Sequence, residues 1–94
     1  MQLNELFQII LDRKANPQPG SYTNLLLEAG ENKILKKINE ETTEVIVAAK
    51  AEGNARLVEE IADLFYHTLV LLASRDIELD AVKAELRRRH SPGS

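Results

Sequence analysis

The sequence lacks cysteine and tryptophan, and only four of its 94 residues are aromatic. Without cysteine there is no disulfide framework, thiolate zinc site or cysteine nucleophile, so we predict a cytoplasmic location, where thiols stay reduced. Long hydrophobic runs are also missing. The longest uncharged runs, such as residues 64–74, fall well below the ~20 residues that a membrane-spanning helix needs. Residues 1–5 lack the basic start of a signal peptide.

Basic residues are outnumbered, with 12 Lys and Arg against 15 Asp and Glu, giving a net charge of −3. This balance argues against a general nucleic-acid or anionic-membrane surface, and we expect neither partner. The length predicts a single domain over residues 1–94, with a flexible tail at 90–94. A chain this short buries only about 60–65% of its unfolded surface, which favours self-association.

Apolar residues recur at helical spacing along the chain, and no stretch alternates with the period of two that is typical of strands. We therefore predict an all-α fold of about five helices. The caps and breakers indicate a first helix that ends near Lys14, a second between a Ser21 cap and Gly30, a third over about 31–51, a fourth from an Asn54 cap to about Ser74, and a fifth capped by Asp80.

The segment 64–73 carries no formal charge on any face of its helix. A helix that is apolar nearly all round is expected to be buried nearly all round. One small chain offers too little cover for this. We therefore predict that a second copy packs against it in a homodimeric helical bundle, with a higher oligomer as the alternative.

Two pairs of acids stand at i, i+3 on the third and fourth helices: Glu41 with Glu44, and Glu60 with Asp63. A separation of three residues makes the members of each pair neighbours on the helix surface. On a helical wheel, Glu41 and Glu60 border the apolar face, whereas a solvated acidic face would lie opposite it. The alternative interpretation is that these acids only solubilise the helices.

Ionised carboxylates crowded between two helices are costly unless something neutralises them, so we predict a bound cation. Oxygen-only ligands favour a hard ion, Mg²⁺, with Mn²⁺ as the alternative. Mg²⁺ keeps waters and contacts substrate phosphates, which indicates phosphate chemistry on a nucleotide-like molecule. The predicted ligands are Glu41, Glu44, Glu60 and Asp63.

Basic and hydroxyl side chains lie near these acids. Lys33 and Lys37 share a helix stripe and could flank a polyphosphate, although an ion pair of Lys37 with Glu41 explains that lysine equally well. The hydroxyls of residues 21–23 follow a Pro/Gly loop and could bind an anion, although helix capping explains them equally well. His67 shares the stripe of Glu60, yet a lone histidine on an apolar helix is more often a hydrogen-bonded core residue.

The pattern Glu40-Glu41-x-x-Glu44, fifteen residues and then Glu60-x-x-Asp63 resembles the signature of the all-α nucleoside triphosphate pyrophosphatases of the MazG-like superfamily. Three further segments narrow the resemblance to the phosphoribosyl-ATP pyrophosphatase family, over about residues 3–90. They are Ser21-Tyr22-Thr23, Asn32-Lys33-Ile34 and Tyr66-His67. The chain departs from the family pattern at Asn39 and Thr42, beside the acids.

The resemblance implies a MazG-like bundle that hydrolyses the α–β phosphoanhydride of 1-(5-phosphoribosyl)-ATP to phosphoribosyl-AMP and pyrophosphate, the second step of histidine biosynthesis. It implies Mg²⁺ on the four acids named above. The catalytic residues that we expect are Glu40, Glu41 and Glu44. The substrate-binding residues that we expect are Ser21, Tyr22, Asn32, Lys33 and Lys37.

Two other functions stay open. One is a pyrophosphatase that removes ordinary or damaged nucleotides, and the other is a dimeric interaction module without enzymatic activity. A ferritin-like di-iron bundle is disfavoured because no Glu-x-x-His occurs, since Leu64 and Arg87 stand three residues before His67 and His90.

Overall fold

The computed structural model describes residues 1–91, which contain five α-helices and no β-strand. The predicted all-α fold class is therefore confirmed. After α3 the chain continues as one π-helical turn, Ala48–Glu52, where the sequence predicted uninterrupted α-helix to about residue 51. The helices are α1 (Leu3–Ala15), α2 (Tyr22–Ala29), α3 (Glu31–Val47), α4 (Asn54–Ser74) and α5 (Leu79–His90).

Glycine and serine set the boundaries of the middle helices. The Ser21 Oγ accepts a hydrogen bond from the Asn24 backbone N–H at 3.2 Å, which confirms the predicted cap of α2. Gly30 and Gly53 have φ values of 96° and 86°, a region that side chains with a Cβ rarely adopt. Each of these glycines therefore ends one helical segment and turns the chain into the next.

The other two predicted caps are wrong. Gly53 and Glu78 occupy the N-cap positions of α4 and α5, and neither end has a side-chain cap. The turn at Gly53 leaves Asn54 already inside α4. Asp80 lies in the first turn of α5, where its Oδ1 accepts a hydrogen bond from the Asn4 side chain at 3.3 Å. It therefore ties α5 to α1.

The core lies where α1 and α2 pack over the antiparallel pair of α3 and α4. The α3–α4 contact is the most extensive in the molecule, because only the π-helical turn and Gly53 separate the two helices. The buried core residues are Phe7, Ile10, Leu26, Ile34, Leu69, Val70, Ala73 and Leu79.

The uncharged run of α4 is only partly covered within one chain, as expected for a chain too small to bury it, and its burial by a second copy stays a prediction. Phe65 of this run is 48% exposed, because α5 makes few contacts with α4 and enters the core through Leu79. An apolar groove remains between the two helices. The residues that line this groove are Leu3, Leu64, Phe65, Thr68, Leu69, Leu72, Leu79, Val82 and Leu86.

Among residues 1–91, no helix is long and apolar enough to cross a membrane. The cytoplasmic location stays a prediction. α5 includes His90, where the sequence predicted the start of the C-terminal tail, and residues 92–94 of that tail lie outside the described residues.

Two adjacent leucines of α2 test the core. Leu26 is completely buried and Leu25 is 59% exposed. We expect Leu26→Ala to lower the free energy of unfolding by about 2–5 kcal/mol, because it opens a cavity in the core. Leu25→Ala should cost less than about 1 kcal/mol. Chemical denaturation of both variants measures the difference, and equal losses would contradict this packing.

Candidate active site

Three carboxylates from α3 and α4 converge in the groove between these helices. One oxygen each of Glu41, Glu60 and Asp63 lies within 4.8 Å of the other two. Glu41 is 6% and Glu60 only 2% exposed, whereas Asp63 is open to solvent. A purely solubilising role is therefore wrong for Glu41 and Glu60. We call these three residues the acidic trio.

The acidic trio contains two buried oxygens that no N–H or hydroxyl group of the protein satisfies. In the described part of the chain, Oε2 of Glu41 and Oε2 of Glu60 accept no such hydrogen bond. Such an unmet acceptor costs about 1–3 kcal/mol, and more when it is charged. The other Glu60 oxygen, Oε1, accepts a hydrogen bond from Arg56 Nη2 at 2.5 Å. The remaining oxygens need a proton or a cation.

Glu44 shows that the carboxylates of this site repel one another. A hydrogen bond with Glu60, together with the negative charges of Glu41 and Glu60, raises the pKa of Glu44 to about 7. The same hydrogen bond from Glu44 lowers the pKa of Glu60, and Arg56 adds to that lowering. A proton shared between the two acids therefore favours Glu44, at the exposed rim, over Glu60.

The acidic trio fits a hard divalent cation. Its donors are all carboxylate oxygens, which Mg²⁺ and Mn²⁺ prefer. The buried side of the trio is formed by Glu41 and Glu60, and its open side is formed by Asp63, with Glu44 beside Glu60. An open side leaves room for water or phosphate oxygens, which Mg²⁺ usually retains in its shell.

Lys37 brings a positive charge to the edge of the trio. Its Nζ lies 3.2 Å from Glu40 Oε2 and 3.7 Å from Glu41 Oε1. The hydrogen bond to Glu40 raises the pKa of Lys37, and the neighbouring Tyr22 and Glu41 add to this against the effect of desolvation. The predicted ion pair with Glu41 is therefore present, and Glu40 lies outside the trio, held by the lysine.

The other predicted binding residues lie at the starts of α2 and α3. Asn32 and Lys33 are exposed in the first turn of α3, and neither belongs to the acidic trio. The Ser21 hydroxyl serves as the cap of α2. Tyr22 instead reaches α4, where its hydroxyl lies 3.0 Å from Nε2 of the buried His67.

Sequence reasoning missed two residues of this region. Arg56 pairs with Glu60, and its i, i+4 spacing from that acid would have indicated the contact. Tyr66 hydrogen-bonds Thr23 and stacks against Tyr22 with ring centroids 6.2 Å apart. No pattern in the sequence joins Tyr66 to Thr23, because the contact depends on how α2 lies across α4.

The raised pKa of Glu44 predicts a pH-dependent stability of the metal-free protein. A carboxyl group that is harder to ionise in the folded state stabilises it below the ordinary pKa of about 4.3, and this contribution disappears as the pH rises to about 7. Glu44→Gln keeps a neutral donor toward Glu60, so its melting temperature should rise relative to the wild type between pH 5 and pH 8. Thermal melts in chelator, with Glu28→Gln as control, measure this. A pH-independent difference would contradict the shift.

Comparison with known proteins identifies the family of this chain. The family described as phosphoribosyl-ATP pyrophosphohydrolase matches residues 3–90. The chain is 58% identical over 87 residues to a phosphoribosyl-ATP pyrophosphatase of Listeria welshimeri, covering 93% of this chain and 84% of that protein. A phosphoribosyl-ATP pyrophosphatase of Clostridium acetobutylicum is 52% identical over 88 residues, with 94% and 80% covered.

A histidine biosynthesis bifunctional protein, HisIE, of Gloeobacter violaceus is 57% identical over 88 residues, which cover 93% of this chain and 39% of that longer protein. The family resemblance drawn from the acids and from residues 21–23 is therefore confirmed. With the match over residues 3–90, the chain belongs to the phosphoribosyl-ATP pyrophosphohydrolase family, a family of hydrolases.

Proposed function

We propose that this chain hydrolyses 1-(5-phosphoribosyl)-ATP at its α–β phosphoanhydride, a step of histidine biosynthesis. The products are phosphoribosyl-AMP and pyrophosphate. Membership of the family supports the substrate. The observation that carries the proposal is the acidic trio, with two buried and unsatisfied carboxylate oxygens on adjacent helices.

The proposed cofactor is Mg²⁺, with Mn²⁺ as the alternative. Glu41, Glu60 and Asp63 would hold it, and Glu44 is the proposed fourth acid because it adjoins Glu60. When bound, such an ion neutralises negative charge on phosphate oxygens and makes water more acidic. The unmet oxygens of Glu41 and Glu60 support this assignment, since a cation satisfies both.

The chain's own residues would then orient the polyphosphate and handle protons. The Lys37 ammonium, held by Glu40 at the edge of the acidic trio, would attract the negative charge that grows on the leaving pyrophosphate. Asn32 and Lys33 would contact the substrate from the first turn of α3. In hydrolysis, a water oxygen bonds to one phosphorus while the bridging P–O bond breaks.

The water must lose a proton in this step. Glu44 is the exposed member of the acid cluster on α3, and a carboxylate can act as a general base. We therefore propose that Glu44 takes up this proton.

The homodimer is the second part of the proposal. The apolar groove between α4 and α5 is open in one chain, and it includes Phe65 at 48% exposed. Its lining carries no charged side chain, and the run 64–73 supplies most of it. An uncharged, elongated groove on a chain of 94 residues fits another apolar helix surface, so we assign a second copy of this chain to it.

Two adjacent glutamates of α4 test the proposed chemistry. Glu60 is buried in the acidic trio, whereas Glu59 is exposed and pairs with Arg56. Glu60→Gln should lower Mg²⁺-dependent release of pyrophosphate from phosphoribosyl-ATP by about 10²–10³-fold, because charge stabilisation worth several kcal/mol is lost. Glu59→Gln should stay within about threefold of the wild type.

Thermal melts with and without Mg²⁺ give a second readout. The wild type and Glu59→Gln should melt at higher temperature with Mg²⁺, and Glu60→Gln should lose this shift. Near-normal turnover by Glu60→Gln would exclude it from the proposed metal set. Faster hydrolysis of ordinary or damaged nucleoside triphosphates than of phosphoribosyl-ATP would contradict the proposed substrate.

A charge in the apolar groove should break the proposed dimer. Phe65→Glu would place a carboxylate in the contact, and we expect a shift from dimer to monomer in analytical ultracentrifugation. Val58→Glu is the matched control, since Val58 is an exposed residue of the same helix outside the groove. A monomeric wild type, or equal effects of the two variants, would contradict this assignment.

A further inference from the structure

The buried His67 has no role in the chemistry above, yet both of its ring nitrogens have partners. Its side chain is 4% exposed and lies edge-on to the rings of Tyr22 and Tyr66. Nδ1 lies 2.7 Å from the backbone carbonyl oxygen of Asp63. A carbonyl oxygen only accepts hydrogen bonds, so Nδ1 must carry a proton.

This proton decides the role of the other nitrogen. In a neutral imidazole with the proton on Nδ1, Nε2 can only accept. Its partner at 3.0 Å is the hydroxyl of Tyr22, which therefore donates its single proton inward to His67. Toward every other group, the Tyr22 oxygen offers lone pairs and no donor.

Tyr22 lies where a substrate can reach it. Its side chain is 45% exposed in the first turn of α2. The residue also lines an open cavity of about 420 Å³ together with Gln18, Leu25 and Glu28.

The surroundings favour a hydrogen-bond donor and disfavour a phosphate. Among the described residues, no lysine or arginine lines this cavity, and the Glu28 carboxylate would repel a phosphate. The Tyr22 oxygen can only accept a hydrogen bond, whereas a phosphoryl oxygen needs a donor. The exposed Leu25 and the tyrosine ring supply apolar surface. This combination suits the nucleoside part of a nucleotide, whose hydroxyl and amino groups donate.

We propose that His67 is a positioning residue that fixes the Tyr22 hydroxyl as an acceptor, so that Tyr22 binds a hydroxyl or amino group of the nucleoside part of the substrate and no phosphoryl oxygen. The role given to Tyr22 rests on the proposed function. The hydrogen-bond arrangement of His67 does not.

Substrate kinetics and product inhibition separate the two kinds of contact at Tyr22. Tyr22→Phe removes only the hydroxyl, and it should raise KM for phosphoribosyl-ATP by about five- to tenfold with kcat nearly unchanged. Inhibition by pyrophosphate should stay within about twofold of the wild type. If pyrophosphate inhibition weakens as much as KM rises, Tyr22 binds phosphate and the proposal is overturned.

Deoxy analogues locate the donor. If the KM penalty of Tyr22→Phe disappears with the substrate analogue made from 2′-deoxy-ATP or 3′-deoxy-ATP, the missing ribose hydroxyl is the donor. A penalty that persists with both analogues assigns the contact to an amino group or to the second ribose. Either result supports an accepting oxygen on Tyr22.

Two substitutions of His67 test whether it acts through Tyr22. His67→Asn keeps a donor near the Asp63 carbonyl but does not reach the tyrosine, whereas His67→Gln can place an amide oxygen there. We expect His67→Asn to raise KM as much as Tyr22→Phe does, and His67→Gln to restore most of the loss. In the Tyr22→Phe background, His67→Asn should raise KM by less than about twofold more. Fully additive losses would overturn the proposal.

Nitrogen-15 NMR of the wild-type imidazole gives a readout that needs no activity. It should show Nδ1 protonated and Nε2 as an unprotonated acceptor at pH 8. The opposite tautomer would overturn the positioning role. A wild type that shows this tautomer but releases no pyrophosphate would refute the proposed function and leave the arrangement of His67 standing. Circular dichroism of each variant verifies that its helices are intact.

Discussion

The structure depends on one electrostatic constraint, which is that carboxylates from two helices share a groove with too few donors. Glu41 and Glu60 are buried on facing sides of the α3–α4 pair, and each keeps an oxygen without a hydrogen bond. Repulsion between them opposes the packing of the helix pair that also carries the core. Apolar burial therefore stabilises the fold while repulsion between these carboxylates destabilises it. A divalent cation would reduce that repulsion.

The protein partly compensates this charge itself. Arg56 pairs with one oxygen of Glu60, and Lys37 lies beside Glu41. The raised pKa of Glu44 favours a proton there, which removes one negative charge from the cluster. All three compensating groups lie toward the rim, whereas the buried oxygens lie behind them. In the function proposed above, a cation would occupy the interior of the acid cluster and a phosphate chain its rim, so ligand binding would raise stability.

The sequence was sufficient for the features that depend on local spacing. The i, i+3 acids, the Ser21 cap and the uncharged run of α4 follow from helix geometry. Features set by the meeting of helices could not be read in this way. Gly53, and not the predicted Asn54, is the N-cap of α4, because the backbone turns one residue before Asn54. The link from Tyr22 to His67 spans 45 positions, and only the packing of α2 on α4 creates it.

The π-helical turn at Ala48–Glu52 has a consequence for how this protein can change over time. It holds one residue more per turn than an α-helix, and with Gly53 it fixes how far α4 is rotated when it returns along α3. Losing one residue there would rotate α4 by about 100° and carry Glu60 and Asp63 out of the groove. Substitutions can accumulate at the exposed residues 49–52 of this short hinge, whereas a change in its length would need a second, compensating change elsewhere to keep the acids facing each other.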